Sequence, residues 1–191
     1  MENNLFNCTI EYMNHYLING IYTQQFIDDF EKIKHQSIMD EISNLEHNKR
    51  STNFKKYKKF KKLPLRGLYK IHFSNGSLIN MKYNLQNHWD FQSNKFEQMA
   101  LEVRKQVGDY EYEKFSQLLA QKFIDGYYAR RKNSKLTGEW IVFMKHNQKN
   151  YYLTLAEHDE SDEKIFNRIM TSCFVEFPEL YERYKKLNKI T

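Results

Sequence analysis

The chain has 191 residues, 30 Lys and Arg against 24 Asp and Glu, a formal net charge of +6, and a hydrophobic share of 40% that includes 14 Tyr and 14 Phe. That length suffices for one compact domain, and large rings let a sizeable core form from few residues. The first residues carry Glu2 with no basic cluster and no apolar run, and no stretch approaches the ~18 consecutive apolar residues of a membrane span, so a soluble, cytoplasmic protein without a membrane partner is expected.

The predicted elements begin with apolar positions Ile10, Met13, Tyr16 and Leu17 at helical spacing, ending at Gly20. A second helix is expected from Thr23, its cap, to Leu45, with one slip of the apolar period around Gln36. Together they predict an N-terminal helical hairpin over residues 1–48. Residues 49–66 hold nine basic residues (Lys49, Arg50, Lys55, Lys56, Lys58, Lys59, Lys61, Lys62 and Arg66) and no acidic one, with Phe54, Tyr57 and Phe60 interleaved. The rest of the chain has 21 basic residues against 24 acidic. The basic character therefore belongs to one segment, read as a linker that Pro64 closes.

From residue 67 a core of strands and helices is expected to run to residue 191. Leu68–Phe73 is rich in strand formers, Asn75-Gly76 is a tight-turn signal, and Leu78–Leu85 reads as the returning strand. Helical spacing follows over Ser93–Val107 and Tyr112–Lys132. Two apolar runs, Trp140–Met144 and Tyr151–Ala156, flank the polar Lys145–Asn150 and predict a second hairpin. Asp159–Asp162 supplies capping and negative charge for a helix over Glu163–Phe174, and a helical tail starts at Pro178. The fold class is α+β: a small antiparallel sheet of two hairpins packed with helices. Cys8 and Cys173 are the two cysteines; in a reducing compartment both are expected as thiols, and two cannot build a Cys-rich zinc site.

No phosphate-binding Gly-rich loop, dinucleotide fingerprint, His-Glu-x-x-His or calcium loop occurs, which argues against an ATPase, a kinase or a dehydrogenase; no cofactor is expected. Histidine titrates near neutrality, so two imidazoles beside a phosphodiester could serve as general base and acid. His146 and His158, with His72 as the alternative, are the candidates for that role. Lys145, Arg130 and Arg131 could hold phosphate, with Lys149 and Lys135 nearby, and Tyr152 or Tyr151 could stack a base. The ordinary reading of a histidine at a strand end is a hydrogen-bonded structural residue. A metal site from His146, His158 and Asp159 or Asp162 is a weaker alternative without supporting ligand spacing. Lys55, Lys56, Lys58, Lys59, Lys61, Lys62 and Arg66, alternating with rings, suit a phosphate backbone with stacked bases; otherwise the segment is a solvated connector or a clamp for an acidic partner. Arg130 and Arg131 also complement a helix C-terminus, and the Glu157–Glu163 acids cap a helix N-terminus.

Gly67-Leu68-Tyr69-Lys70-Ile71-His72-Phe73 resembles the first core strand of RelE-like ribonuclease toxins, and Trp140–Ala156, running on to His158, is similar to their closing strands. The resemblance is confined to these two segments. It implies a small sheet-and-helix ribonuclease fold, RNA cleavage through the substrate's own 2′-hydroxyl, and a protein antitoxin as partner. The expected function is a metal-independent endoribonuclease of toxin or defence type. The alternatives are a non-catalytic nucleic-acid-binding, regulatory or inhibitor module, and an adaptor or homodimer that presents the N-terminal helices through Phe26 and Phe30.

Overall fold

The computed structural model describes residues 2–49, 57–133 and 135–190, with the side chains of residues 2–7 left aside. These residues form two compact units: one of 2–49, 57–75 and 138–190, the other of 76–133 and 135–137. The fold is α+β, as the sequence predicts. No described helix is long and apolar enough to cross a membrane.

The first unit is built on a five-stranded mixed sheet in the order β1-β5-β4-β3-β2. Its strands are β1 (Ile21–Tyr22), β2 (Lys58–Lys59), β3 (Tyr69–Phe73), β4 (Glu139–His146) and β5 (Lys149–Ala156). β1 runs parallel to β5, and the other pairs are antiparallel. The β4–β5 hairpin is the one read from the sequence; Asn147 and Gln148 close it with positive φ angles of 46° and 63°, the backbone that a tight hairpin turn needs.

Strand residues alternate between faces. Trp140, Val142 and Met144 of β4 and Tyr151 and Leu153 of β5 enter one core. That core is closed by a C-terminal helical run: α7 (Asp162–Arg168), a π-helical turn (Ile169–Cys173), α8 (Phe174–Glu176) and α9 (Pro178–Asn188). Ile71 and Phe73 of β3, Ile141 and Phe143 of β4, and Tyr152 and Leu155 of β5 enter a second core on the opposite face. There they meet α1 (Glu2–Asn14), α2 (Gln24–Ile33) and α3 (Gln36–Glu46).

The N-terminal helices therefore form one layer against the sheet. Phe26 and Phe30 are buried in the second core, so the apolar stripe expected to meet a partner is consumed inside the unit. The predicted single helix from Thr23 is two. Thr23 caps α2 by accepting from the Phe26 amide, Lys34 ends it in the left-handed conformation, and His35 caps α3. The period slip at Gln36 marks this break.

The residues expected to be a linker are drawn into the sheet where they are described: β2 pairs with β3, and Phe60 is buried in the first core. Lys55 and Lys56 lie outside the described residues.

The second unit holds α4 (Leu78–Trp89), α5 (Lys95–Val107) and α6 (Tyr112–Lys132). Here the predicted strand Leu78–Leu85 is a helix, so the expected first hairpin does not form and β3 pairs with β4 instead. Ser77 caps α4 by accepting from the Asn80 amide. Its buried positions are Asn80, Asn84, Leu85 and Trp89, while Leu78 and Ile79 are exposed. The helical period is carried by asparagines, which a hydrophobic pattern does not register. Asn84 Oδ1 accepts from the Thr137 amide at 2.8 Å and Arg130 Nε at 3.2 Å, and its amide donates to the carbonyls of Asn80 and Thr137.

Candidate nucleic-acid interface and acid–base cluster

On β3 the first sheet face carries polar rather than apolar side chains, Lys70 and His72. Lys70 lies opposite Val142 and His72 opposite Trp140 in the register, so both project on the Trp140 side. Lys70 Nζ sits over the Trp140 ring, 3.2 Å from its centroid, and 4.9 Å from that of Phe60. The His72 ring centroid is 6.3 Å from that of Trp140, and the His158 centroid 5.7 Å from it. One indole thus gathers an amine and two imidazoles.

The electrostatics of the three groups follow from burial and mutual repulsion. Lys70 is pushed down to about 8, first by desolvation and then by Lys58, with Asp162 opposing. His72 is lowered to about 4 by desolvation, then by Lys70, His158 and Lys58, while its hydrogen bond to the Gly138 carbonyl opposes. Its Nδ1 lies 2.9 Å from that oxygen. His158 is lowered by desolvation and by Lys70, with Asp159 opposing. The His158 amide donates to Glu139 Oε2 at 2.7 Å, which anchors the residue at the start of β4. At neutral pH the cluster therefore holds two neutral imidazoles beside an ammonium close to its titration point.

Lys70 opens into a cleft of about 610 Å³ lined by Lys58, Lys59, Phe60, Lys61, Lys62 and Asp162. Five of these seven groups are cationic and one is anionic. Trp140 Nε1 is buried with no hydrogen-bond partner among the described residues.

The other predicted site residues fall elsewhere. His146 ends β4, six residues beyond Trp140, or roughly 20 Å along a strand. It meets Tyr151 there, so His146 and His158 cannot serve one phosphate, and a metal site joining them does not assemble. Among the described residues no three His, Cys, Asp or Glu side chains are grouped to hold a metal. Lys145 projects on the opposite face and donates to the Tyr57 hydroxyl at 3.0 Å. Tyr152 is fully buried, and its hydroxyl donates to Glu46 Oε1 at 2.6 Å, so its ring cannot stack on a base.

Arg66 is committed to the fold: Nε donates to Asn188 Oδ1 at 2.6 Å and Nη2 to the Asn188 carbonyl at 3.1 Å. Arg130 and Arg131 lie at the end of α6 in the second unit. Lys70 was missed by sequence reasoning. The available signal was its i, i+2 relation to His72 on a strand, which puts the two on one face.

Another cleft in the first unit, about 690 Å³, lies at the other end of β5 beside Asp29, Glu157 and Arg168. Its main polar groups satisfy one another. Arg168 is bidentate to Glu160 at 2.8 and 3.0 Å, and Thr154 donates to Asp29 at 2.6 Å. That network joins α7 to α2 and is structural. Comparison with protein-family models, curated proteins and solved structures finds no match to this chain.

Proposed function

We propose that this protein binds RNA in the lysine-lined cleft and cleaves it through the RNA's own 2′-hydroxyl, with His158 as general base and Lys70 as general acid. The observation that supports this most directly is Lys70: a half-buried amine lowered to about 8, beside a neutral histidine, in a cationic cleft. A catalytic acid works best with a pKa near the operating pH, and burial beside like charge is how a lysine reaches it.

In the reaction, His158 takes the 2′-hydroxyl proton and O2′ attacks phosphorus. The P–O5′ bond breaks as Lys70 gives its proton to O5′. The products are a 2′,3′-cyclic phosphate and a 5′-hydroxyl. Lys58, Lys61 and Lys62 offset the charge that develops on the phosphorane. The pair differs from the one read in the sequence, because His146 is too distant and His72 is the more deeply buried imidazole, with its Nδ1 engaged at Gly138. An antitoxin partner belongs to the same reading and is supported by the RelE-like resemblance alone.

The test is incubation of the purified protein with total RNA and with single-stranded DNA, with and without EDTA, beside Lys70→Gln, His158→Ala and His146→Ala variants. EDTA-resistant RNA cleavage lost in the first two and kept in the third supports the reading. RNA that is bound but intact removes the catalytic step and leaves the cleft as a binding site, which the cationic lining independently favours. A salt-insensitive interaction, or none, removes both.

A further inference from the structure

The second unit carries a separate cationic pocket that the reading above does not use. It encloses about 230 Å³ at the end of α4, the start of α5 and the end of α6, and is lined by Asn87, His88, Lys95, Arg130, Asn133 and Lys135. No carboxylate lines it, and none of its cations forms an ion pair among the described residues.

The pocket is preorganised. Arg130 is fixed by Nε donating to Asn84 Oδ1 at 3.2 Å and Nη2 donating to the Lys135 carbonyl. Asn84 is itself buried and held by Thr137. Lys95 Nζ donates to the His88 carbonyl at 2.6 Å, and the Asn133 amide donates to the Ala129 carbonyl at 2.8 Å. The C-terminal ends of α4 and α6 account for some attraction of cations, but a helix end supplies about half a charge and does not neutralise three cations. The remaining positive potential registers on His88, which burial lowers and Lys95 and Arg130 lower further.

We propose that this pocket binds a phosphate monoester or inorganic phosphate, with Arg130, Lys95 and Lys135 as charge partners and His88 as a neutral hydrogen-bond donor. A tetrahedral dianion supplies what the pocket lacks: several acceptors and enough negative charge to offset three cations. The pocket has room for one phosphate group with its nearest waters. The same chemistry arises from a free phosphate compound or from the 5′-phosphate end of a nucleic acid, and the assignment is independent of RNA cleavage in the first unit.

Ring NMR of the seven histidines, with His88 assigned through His88→Gln, tests it. Inorganic phosphate and 5′-AMP are titrated against adenosine and against sodium chloride of matched ionic strength. Bound dianion is expected to raise the His88 titration midpoint by about one pH unit, while adenosine and chloride leave it in place. Lys95→Gln, which keeps an amide donor for the His88 carbonyl, and Lys135→Gln should each weaken phosphate binding at least tenfold. Arg130→Ala can disturb the fold through Asn84, so those two variants carry the test.

A DNA oligonucleotide with a 5′-phosphate, which lacks the 2′-hydroxyl that cleavage needs, is compared with its 5′-hydroxyl twin. Tighter binding of the former, lost in Lys95→Gln and kept in Lys70→Gln, assigns the site to a nucleic-acid end. Equal binding of the two, with phosphate and 5′-AMP still moving His88, assigns it to free phosphate compounds. If neither phosphate nor 5′-AMP moves His88 beyond the chloride control, the assignment is overturned, whatever becomes of RNA cleavage.

Discussion

The ammonium of Lys70 lies 3.2 Å from the centroid of the Trp140 ring. A cation over an indole face is attracted by the ring quadrupole, yet Lys70 is pushed down to about 8 because burial and Lys58 outweigh the opposing charge of Asp162. Near pH 8 it is therefore half neutral, whereas an ordinary lysine is almost fully charged. Brief acylation at that pH, read by peptide mass spectrometry, should modify Lys70 ahead of Lys58, Lys61 and Lys62. Asp162→Asn removes the group that raises its pKa and should make Lys70 more reactive still.

For the proposed RNA cleavage, the same charges set the expected pH profile. His158 must be neutral, so the rate falls as pH drops through a value below 6.5, and Lys70 must be protonated, so it falls again as pH rises through about 8. A bell with those two limbs is expected in steady-state RNA cleavage. Lys70→Gln should lower the rate by about 10²–10⁴-fold, the usual worth of a general acid, and erase the alkaline limb. His146→Ala should change neither limb.

The sequence made the β4–β5 hairpin, α5, α6 and the C-terminal helical run legible, because their apolar residues follow the period of the element they form. It misled where polar residues carry the period. Asn80 and Asn84 are buried while Leu78 and Ile79 are exposed, so α4 presents a strand-like apolar run at its start. The two-residue β1 has no pattern of its own and is held by β5, where Thr23 donates to the Leu153 carbonyl at 2.8 Å. At the candidate site, His158 and His72 were legible as strand-associated histidines, but their meeting depends on which strand pairs with β3. That pairing skips over residues 76–137, and no local signal encodes it.

His72 makes the first unit sensitive to mild acid. Its folded pKa of about 4 lies below its ordinary 6.5, so between those values the unfolded chain binds more protons and stability falls as pH is lowered. Below about 4 both states are protonated and this contribution levels out. Urea unfolding at pH 7, 5.5 and 4 should show that loss, and His72→Gln should flatten it across this window while leaving the steeper carboxylate-driven loss below it.

Gly126 of α6 packs directly against α4. A Cβ there would lie 2.7 Å from both His88 Cδ2 and Trp89 Nε1, and Trp89 Nε1 donates to the Phe123 carbonyl at 2.9 Å. Alanine gains about 1 kcal/mol in helix propensity, but overpacking a site whose neighbours are held rings costs about 1–3 kcal/mol. Gly126→Ala should therefore be neutral to destabilising despite the better helix former. The chain has two tryptophans, Trp89 in the second unit and Trp140 in the first. In a Trp140→Phe background the fluorescence of Trp89 reports the second unit directly, and an increase in its stability on Gly126→Ala would contradict the crowding.

Glu46 explains why Tyr152 serves the fold. Its two carboxylate oxygens accept from the backbone amides of Ile18 and Asn19 at 3.2 and 3.0 Å, from Asn150 Nδ2 at 2.8 Å and from the Tyr152 hydroxyl at 2.6 Å. Burial alone would raise the carboxyl, but these donors more than offset it and hold Glu46 below its ordinary 4.5. A depressed acid contributes stability that is fully present above its unfolded value and is lost as pH falls through its folded one. Glu46→Ala strands four donors and should cost about 3 kcal/mol in urea unfolding at pH 7. Tyr152→Phe removes one donor and keeps the ring in the core, and should cost about 1–2 kcal/mol. Because both act on one cluster, the double variant should be less destabilised than the two separate losses imply. RNA binding by Tyr152→Phe should equal that of the parent chain, and a selective loss of binding without loss of stability would place the Tyr152 hydroxyl at the nucleic-acid interface.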